Sequence, residues 1–318
     1  MQKKAVILGG VGLVGTHLCQ KLIERGREVC CVDVRELSSS PLLRDMERNL
    51  FRFVRHNITT PFTIHCDEVY NLCAPVRLSY DKQLPVETLQ TYLQGAFNTL
   101  ENARTEFARV LFASSSAVYA PNPRLELDLR NKQAASAEGI RSSEMIHRAY
   151  ALEYGVDCRI ARIFNTYGSG SDLNERRVVM RMITAALQNR EITIFGSGEQ
   201  LRTFAWAGDI AEGLIALMEA PSSGSVRTID LGGEGEITIR SLAEKIIELC
   251  GSRSRINHIG ALYGDVRDRR PDLSTAAREL GWRPRTSLEE GLKRTIEYAE
   301  KELASYRGRT RTWVEIYG

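Results

Sequence analysis

The first half of the chain alternates short apolar runs with longer amphipathic stretches. The apolar runs have the length and composition of buried strands, and they span residues 5–8, 28–34, 51–55, 68–72, 109–114 and 157–163. The stretches between them carry apolar residues at helical spacing, over residues 13–26, 85–105 and 136–154. Because parallel strands need long crossover connections, this alternation predicts an α/β fold with a Rossmann-type, doubly wound parallel sheet.

The second half of the chain is less regular. Helical patterns span residues 174–189, 207–219, 240–250 and 288–304. Short apolar runs predict strands at 192–195 and 227–231. Ser287 and Glu290 have the spacing of a capping box at the start of the last helix. This part is expected to form a smaller lobe beside the sheet.

The composition is that of an ordinary globular chain. Of the 318 residues, 43% are hydrophobic and 26% are charged, and the net charge is +3. This balance does not require a nucleic-acid or membrane partner, and with no long apolar run we expect no membrane span. The basic and aromatic tail, residues 306–318, is more typical of a solvated tail or an oligomer contact than of RNA binding.

Cysteine usage and the N-terminus indicate a cytoplasmic protein. The seven cysteines are odd in number and include no CxxC pair. Most lie in apolar patterns, so we expect reduced thiols. No Cys/His cluster has ligand spacing, so no metal is predicted. The opening residues, MQKKAVILGG, have too short an apolar stretch for a signal peptide and are typical of a first strand.

The stretch GGVGLVG follows the first predicted strand and opens the first predicted helix. Its glycines allow a tight turn, close approach of the backbone to a pyrophosphate, and tight helix–strand packing. Asp33, at the end of the second strand, favours NAD over NADP because a carboxylate accepts hydrogen bonds from the adenosine ribose, although the nearby Arg35 leaves NADP open. The NAD contacts predicted from this motif are Gly9, Gly12, Leu13, Val14, Gly15 and Asp33.

Four segments together resemble one known family. They are FRFVRHNITTPF (51–62), ARIFNTYG (161–168), FGSGEQLRTFAWAGDIAEGLIALME (195–219) and RRPDLSTAARELGWRPRTSLEEGLKRTIEY (269–298). In this order they resemble the extended short-chain dehydrogenase/reductase family, also called the NAD-dependent epimerase/dehydratase family. Within it they are most similar to the UDP-glucuronate decarboxylases. The resemblance covers nearly the whole chain.

The resemblance implies a division of the chain and a set of ligand contacts. Residues 1–165, with 203–232 returning to them, would form an NAD-binding Rossmann domain, and 166–318 a nucleotide-sugar-binding lobe. The further NAD contacts would be Asn57, Ile58 and Leu72. A nucleotide sugar, UDP-linked by resemblance, would be bound by Asn165, Arg177, Arg202, Arg267 and Arg270, since arginine suits a diphosphate. The helices at 85–105 and 136–154 would form a homodimer, or a heterodimer with an active homologue.

The resemblance fails at the acid–base residues. The family carries a tyrosine and a lysine four residues apart, and this chain has Ser136 and Ile140 at those places. Ala117 replaces the family's glutamate, Ser115 keeps its hydroxyl residue, and Tyr92 stands where a helix asparagine is usual. No Tyr-x-x-x-Lys occurs nearby, so a shift of register cannot restore the pair.

Two interpretations stay open. A divergent enzyme would oxidise the sugar at C4 with NAD. It would take its base from Tyr80 or Lys82, in the loop expected to cover the substrate, with Ser115 orienting the hydroxyl. His147 is a weaker candidate, because it lies far along the helix from Ser136. Alternatively, the chain is a non-catalytic NAD and nucleotide-sugar binder that acts as a regulator or as the partner subunit of an active homologue.

Overall fold

The computed structural model describes residues 3–44, 46, 49–75, 84–119, 134–173, 177–222, 224–260 and 270–307. The N-terminal half contains β1 (Lys4–Leu8), α1 (Leu13–Glu24), β2 (Glu28–Asp33), α2 (Pro41–Arg44), β3 (Phe51–Arg55), β4 (Glu68–Asn71), α3 (Pro85–Glu106), β5 (Arg109–Ser115), α4 (Ala134–Tyr154) and β6 (Cys158–Ile163). The C-terminal half contains β7 (Thr166–Tyr167), α5 (Val178–Leu187), β8 (Ile192–Phe195), β9 (Leu201–Arg202), β10 (Ala205–Trp206), α6 (Ala207–Glu219), β11 (Arg227–Leu231), β12 (Ile237–Thr238), α7 (Ile239–Leu249), β13 (Ile256–Ile259), α8 (Ser274–Leu280) and α9 (Leu288–Arg307).

A seven-stranded sheet organises the molecule. Its order is β3-β2-β1-β4-β5-β6-β11, and every neighbouring pair is parallel. From β1, the strands β2 and β3 are added toward one edge of the sheet, whereas β4, β5 and β6 are added toward the other edge. The strand order therefore reverses between β1 and β4. In open α/β sheets, ligands bind at the carboxyl ends of the strands at such a point. The predicted α/β, Rossmann-type fold class is confirmed.

Helices cover both faces of this sheet. Ile7 belongs to a core with Leu18 of α1 and Leu214 of α6. The preceding residue, Val6, lies on the opposite face of the sheet and belongs to a separate core with Leu100 of α3. Strands buried on both faces are expected to be nearly continuous apolar runs, which is why their positions could be read from the sequence.

A smaller lobe is formed by α5, α7 and α9 with short strand pairs. β8 pairs with β13 in parallel, and β9 pairs with β12 antiparallel. Ile183, Leu242 and Leu292 contribute to its core. At the start of α9 the N–H of Glu290 donates to Ser287 Oγ at 3.2 Å, so one of the two hydrogen bonds of the predicted capping box is present.

Some boundaries differ from the prediction for local reasons. The helix predicted over 174–189 begins at Val178 and ends at Leu187. Asn189 follows with φ of 52°, a left-handed conformation that cannot continue a helix. Likewise α1 stops at Glu24, because Gly26 has φ of 71°. The helix α8 and the strand β13 were not predicted.

The structure adds three facts about membranes, metals and thiols. No helix in the described ranges combines the length and apolar character needed to cross a bilayer. Among these residues there is no group of three or more His, Cys, Asp or Glu side chains that could hold a metal ion. All seven cysteines are free, and burial raises the pKa of Cys66 to about 12, so this thiol is protonated at neutral pH.

Candidate functional site

The loop between β1 and α1 lies where the strand order reverses. The N–H of Gly9 donates to Val32 O at 2.8 Å, and the N–H of Gly12 donates to Gly9 O at 3.0 Å. Gly9 has φ of 77°, a conformation that side chains other than glycine rarely adopt. The loop is therefore tightly folded, and α1 begins directly after Gly12.

The glycines of this loop leave no room for side chains. A Cβ on Gly15 would lie 2.5 Å from Gly9 O. A Cβ on Gly9 would lie 3.0 Å from the carbonyl of Leu72, the residue that follows β4. The result is a bare backbone cradle that leads into the first turn of α1 at Leu13 and Val14. Such a cradle fits the pyrophosphate of a dinucleotide, because N–H groups and the positive end of the helix dipole face the phosphates.

The loop after β3 is held against α3. Ile58 is 4% exposed, and its carbonyl accepts a hydrogen bond from Asn98 Nδ2 at 2.8 Å. A Cβ on Gly95 would lie 2.4 Å from the Ile58 side chain, so the glycine allows this close approach. Asn57 accepts the N–H of Thr59 at 3.1 Å. These contacts fix the predicted adenine-side residues Asn57 and Ile58 beside the carboxyl end of β3.

Asp33 lies at the end of β2, in contact with the glycine loop. Its Oδ2 accepts the N–H of Val11 at 3.0 Å. Arg35 donates to both carboxylate oxygens, from Nε to Oδ1 at 3.1 Å and from Nη2 to Oδ2 at 3.0 Å. The structure thus brings Asp33 and the cradle together, and it shows that the nearby Arg35 forms an ion pair with Asp33, which the sequence did not predict.

The start of α4 carries an apolar cluster. Ile140 is 4% exposed and packs with Tyr92 of α3 and Phe112 of β5. A Cβ on Gly139 would lie 2.8 Å from the Tyr92 ring, so the ring lies directly on the helix backbone. Ala117 is packed against the same cluster. The places where the resemblance puts lysine and glutamate are therefore part of a hydrophobic contact between α3, α4 and β5.

Ser115 and Ser136 are the hydroxyl residues at the predicted proton-transfer places. Ser115 is half-buried, and its Oγ accepts the N–H of Ala117 at 3.2 Å. Ser136, on the first turn of α4, is also half-buried. The predicted bases Tyr80 and Lys82 lie outside the described residues. Within the described part of this region, hydroxyl groups stand where proton transfer would need a stronger base.

A charged network that the sequence did not reveal joins α4 to β5 and β6. Glu144 accepts hydrogen bonds from Ser114 Oγ at 2.5 Å and from Arg162 Nη2 at 2.7 Å. Burial alone would raise the pKa of Glu144, but the hydrogen bonds from Arg162 and Ser114 outweigh it and hold the pKa below its ordinary value. Arg162 also donates to the Tyr119 hydroxyl, which donates to Asp230 on β11, both at 2.8 Å.

His147 is a core residue. It is fully buried, stacks on Phe112 at 4.7 Å between ring centroids, and places Nδ1 2.7 Å from Ser143 O. Burial lowers its pKa to about 4, so the imidazole is neutral at physiological pH. Because it has no exposed surface, it cannot take a proton from a ligand in the cleft.

A cavity of about 130 Å³ lies at the smaller lobe, where it is lined by β7, the start of α5 and Thr295 of α9. Asn165 and Arg177 both line it, so the structure brings together two of the predicted nucleotide-sugar contacts. Asn165 Nδ2 donates to Thr203 O at 3.1 Å, which fixes its amide. Phe204 and Thr295 line the same cavity but were missed, since a single aromatic or threonine carries no motif.

Two other predicted arginines, Arg202 and Arg270, are not part of this cavity lining. Arg202, on β9, is half-buried and donates to Leu201 O at 2.7 Å. Arg270 is exposed and lies 3.7 Å from the carboxylate of Glu236. Arg267 lies outside the described residues. The described structure therefore groups Asn165 with Arg177 and leaves the role of the other arginines a prediction.

Known proteins match the chain over most of its length. Residues 5–232 match the NAD dependent epimerase/dehydratase family. The chain belongs to this family. Two relatives are UDP-glucuronic acid decarboxylase 1 of Danio rerio, 36% identical, and UDP-glucuronic acid decarboxylase 3 of Arabidopsis thaliana, 35% identical. The alignments cover 95% and 91% of this chain, and 74% and 86% of the respective relative.

Solved structures of the same family share its architecture. UDP-glucose 4-epimerase of Thermotoga maritima, crystallised with UDP-glucose, superposes with a TM-score of 0.81 at 26% identity. The match covers 94% of this chain and 99% of the epimerase. The epimerase/dehydratase family depends on NAD, and the glycine cradle at Gly9, Gly15 and α1 fits that cofactor. The cradle residues would hold and orient NAD, which would supply hydride transfer.

Proposed function

We propose that this member of the epimerase/dehydratase family binds NAD and a UDP-linked nucleotide sugar without carrying out the family's proton transfer. It would act as a regulator or as the partner subunit of an active homologue. One observation carries the proposal: Ile140 is buried against Tyr92 and Phe112. The helix position that would have to hold a lysine is instead part of the hydrophobic core.

The chemistry of the replacements supports this proposal. A general base contributes about 10²–10⁴-fold to a rate, and it must be close to the proton it removes. Isoleucine and alanine cannot accept a proton, and the serine hydroxyls at 115 and 136 are poor bases without a partner that activates them. Within the described residues, the first three turns of α4 hold no histidine or lysine. Their two carboxylates are engaged, Glu144 by Arg162 and Ser114 and Glu138 by Arg141.

Ligand binding, in contrast, is supported by the glycine cradle and by the grouping of Asn165 with Arg177. The cradle and the Asn57–Ile58 loop would hold NAD in the domain formed by residues 1–165 and 203–232. The nucleotide sugar would lie against the lobe of residues 166–318, with Asn165 and Arg177 facing it and Arg202, Arg267 and Arg270 serving the diphosphate. The relatives' names, which are of UDP-glucuronic acid decarboxylases, support a UDP-linked sugar acid as the ligand to try first.

Isothermal titration calorimetry tests the binding half of this proposal. We expect saturable binding of NAD and of UDP-glucuronate to the wild-type protein. Asn165→Ala and Arg177→Ala should each raise the Kd for UDP-glucuronate about tenfold, because each removes an amide or charge-assisted hydrogen bond. Both variants should bind NAD as the wild type does. Arg190→Ala, an exposed arginine that does not line the cavity, is the matched control. Absence of binding by either ligand would contradict the proposal.

A divergent enzyme is the second candidate. The chain leaves β4 at Leu72, directly beside Gly9, so the segment that carries Tyr80 and Lys82 starts at the cofactor cradle. In this alternative Tyr80 or Lys82 takes the proton of the sugar C4 hydroxyl and Ser115 orients it. Tyr80→Phe and Lys82→Met should then abolish turnover of a nucleotide sugar. Full activity in both variants would rule out this base.

The outer faces of α3 and α4 support the proposed dimer. Val86 and Phe97 on α3, and Met145 and Leu152 on α4, are exposed apolar residues, with Leu152 90% exposed. Two packed helices that expose apolar side chains on one face are typical of a subunit interface. A second copy of this chain, or an active homologue with the same face, would cover them.

A further inference from the structure

The adenosine end of the cofactor cradle presents a positive charge. The Asp33 side chain is 4% exposed, whereas the side chain of its partner Arg35 is 39% exposed. A Cβ on Gly12 would lie 3.6 Å from Arg35 Nη2, so the guanidinium extends over the edge of the glycine loop. The group that a ligand meets at this end is therefore the guanidinium and not the carboxylate.

The carboxylate of Asp33 already has its hydrogen-bond donors. Oδ1 accepts the backbone N–H and the Nε–H of Arg35, at 3.0 and 3.1 Å. Oδ2 accepts the N–H of Val11 and an Nη2–H of Arg35, both at 3.0 Å. An acidic residue at this place disfavours NADP because a free carboxylate repels the 2′-phosphate. Here that negative charge is compensated and covered.

Arg35 keeps donors for an anion. A guanidinium has N–H groups on three nitrogens, and Asp33 engages only Nε and part of Nη2. The carboxylate next in sequence, Glu36, is paired with Arg55, which also donates from Nε to Val34 O at 3.1 Å. The negative charge next to Arg35 is thus compensated as well, and the planar fork can bind a phosphate with two parallel hydrogen bonds.

We infer that Arg35 makes the cofactor site accept a 2′-phosphate, so that this chain binds NADP as well as NAD. The inference rests on the proposed cofactor site and adds a specificity-determining residue to it. Arg35 forms charge-assisted hydrogen bonds to the 2′-phosphate of NADP. With NAD, the same guanidinium donates to the ribose hydroxyl oxygen, and Asp33 holds the fork in place.

Calorimetric titration of the full chain with NAD and with NADP tests this assignment. We expect the Kd for NADP to be within about tenfold of the Kd for NAD at low salt, and to rise more steeply with salt because the extra phosphate is charged. Arg35→Ala should raise the Kd for NADP about tenfold to a hundredfold, the loss expected for charge-assisted hydrogen bonds. It should change the Kd for NAD less than about threefold. Arg52→Ala, an exposed arginine on the neighbouring strand β3, should change neither.

A second variant guards against misfolding, because Arg35→Ala leaves Asp33 buried without its partner. Asp33→Asn combined with Arg35→Gln replaces the ion pair by two amides and should show the same selective loss of NADP. Two outcomes would overturn the role of Arg35 but leave the proposed cofactor site intact. One is a wild-type Kd for NADP more than about a hundredfold above the Kd for NAD, and the other is unchanged NADP binding in both variants. Binding of neither dinucleotide would overturn the proposed cofactor site together with it.

Discussion

At the scale of single residues, Ile140 and Tyr92 determine what the start of α4 can do. Both are almost fully buried, and the Tyr92 ring lies on the backbone at Gly139. An aliphatic side chain in such a contact stabilises the fold but cannot exchange protons or bind a ribose. A lysine at 140 would have to leave its charge among Tyr92 and Phe112, which is costly.

Replacing Ile140 by lysine therefore tests whether the position is structural. We expect Ile140→Lys to lower the free energy of unfolding by about 3 kcal/mol, from loss of apolar packing and burial of a charge. Ile140→Val, which removes only a methyl group, should cost about 0.5–1.5 kcal/mol. Urea unfolding monitored by circular dichroism gives both values. A lysine variant as stable as the wild type would mean that the cluster opens easily.

Gly15 provides a second residue-scale prediction. A Cβ there would lie 2.5 Å from Gly9 O and 2.7 Å from Gly10 Cα, both backbone atoms that cannot move independently of the loop. Gly15→Ala should abolish NAD binding and cost about 1–3 kcal/mol of stability through overpacking. In Gly260→Ala the added Cβ meets nothing within 4 Å, so this control should bind NAD like the wild type. Calorimetry and thermal unfolding report the two effects.

At the scale of elements, a buried network fixes α4 against the sheet. Glu144 of α4 binds Ser114 at the end of β5 and Arg162 of β6, and Arg162 continues through Tyr119 to Asp230 of β11. Because both partners of the Glu144–Arg162 pair are largely buried, removing one leaves the other charge uncompensated. The network holds the helix that carries Ser136 and Ile140 at one position on the sheet.

The pKa of Glu144 gives this network a pH signature. Its pKa is lower in the folded protein than its ordinary value of 4.5, so the ionised form stabilises the fold at neutral pH. That contribution is lost as the pH falls from about 4.5 toward the lowered pKa. Glu144→Gln should cost about 3–5 kcal/mol at neutral pH, and its difference from the wild type should shrink in acid.

Denaturant unfolding at several pH values measures this difference. Glu290→Gln, which breaks an exposed pair with Arg294, is the control and should change stability far less at every pH. A Glu144→Gln difference that stays constant from neutral to acidic pH would show that ionisation of Glu144 does not stabilise the fold.

Elements with many apolar residues could be predicted from the sequence, and short ones could not. The inner strands β1, β2, β4, β5 and β6 are largely buried, so each is visible as an apolar run, and the edge strand β3 is visible through the half-buried Phe51, Phe53 and Val54. β7, β9, β10 and β12 have two residues each, too few to show a period. Residues in α8 were assigned to a family segment but not to a helix, because only Ala276 of its seven residues is buried.

The site shows the same limit. The glycine cradle and Asp33 could be predicted because a local motif specifies them. The pairing of Asp33 with Arg35, the packing of Tyr92 on Gly139, and the Glu144–Arg162 network depend on side-chain contacts that no spacing encodes. Phe204 and Thr295 reach the cavity with Asn165 only because β7 pairs with β10 and α9 packs nearby.

At the scale of the whole molecule, α3 and α4 carry large apolar side chains that are exposed in the described part of the structure. We expect the wild-type protein to sediment as a dimer, and Leu152→Glu to sediment as a monomer, because a carboxylate cannot be buried unpaired at the centre of an interface. Ile259→Glu, which changes an exposed apolar residue on the smaller lobe, should stay dimeric. A dimeric Leu152→Glu variant would place the interface elsewhere.

The most direct test of the central claim is a turnover measurement on the wild-type protein. UDP-glucuronate and NAD are incubated with the purified protein. The nucleotide sugars are then separated by liquid chromatography, and their masses are measured by mass spectrometry. Chromatographic separation also detects a product of unchanged mass, such as an epimer. Binding without proton transfer predicts that UDP-glucuronate is recovered unchanged. A product lighter by carbon dioxide or water, or an epimer at the same mass, would contradict the claim and make the chain an enzyme with a relocated base.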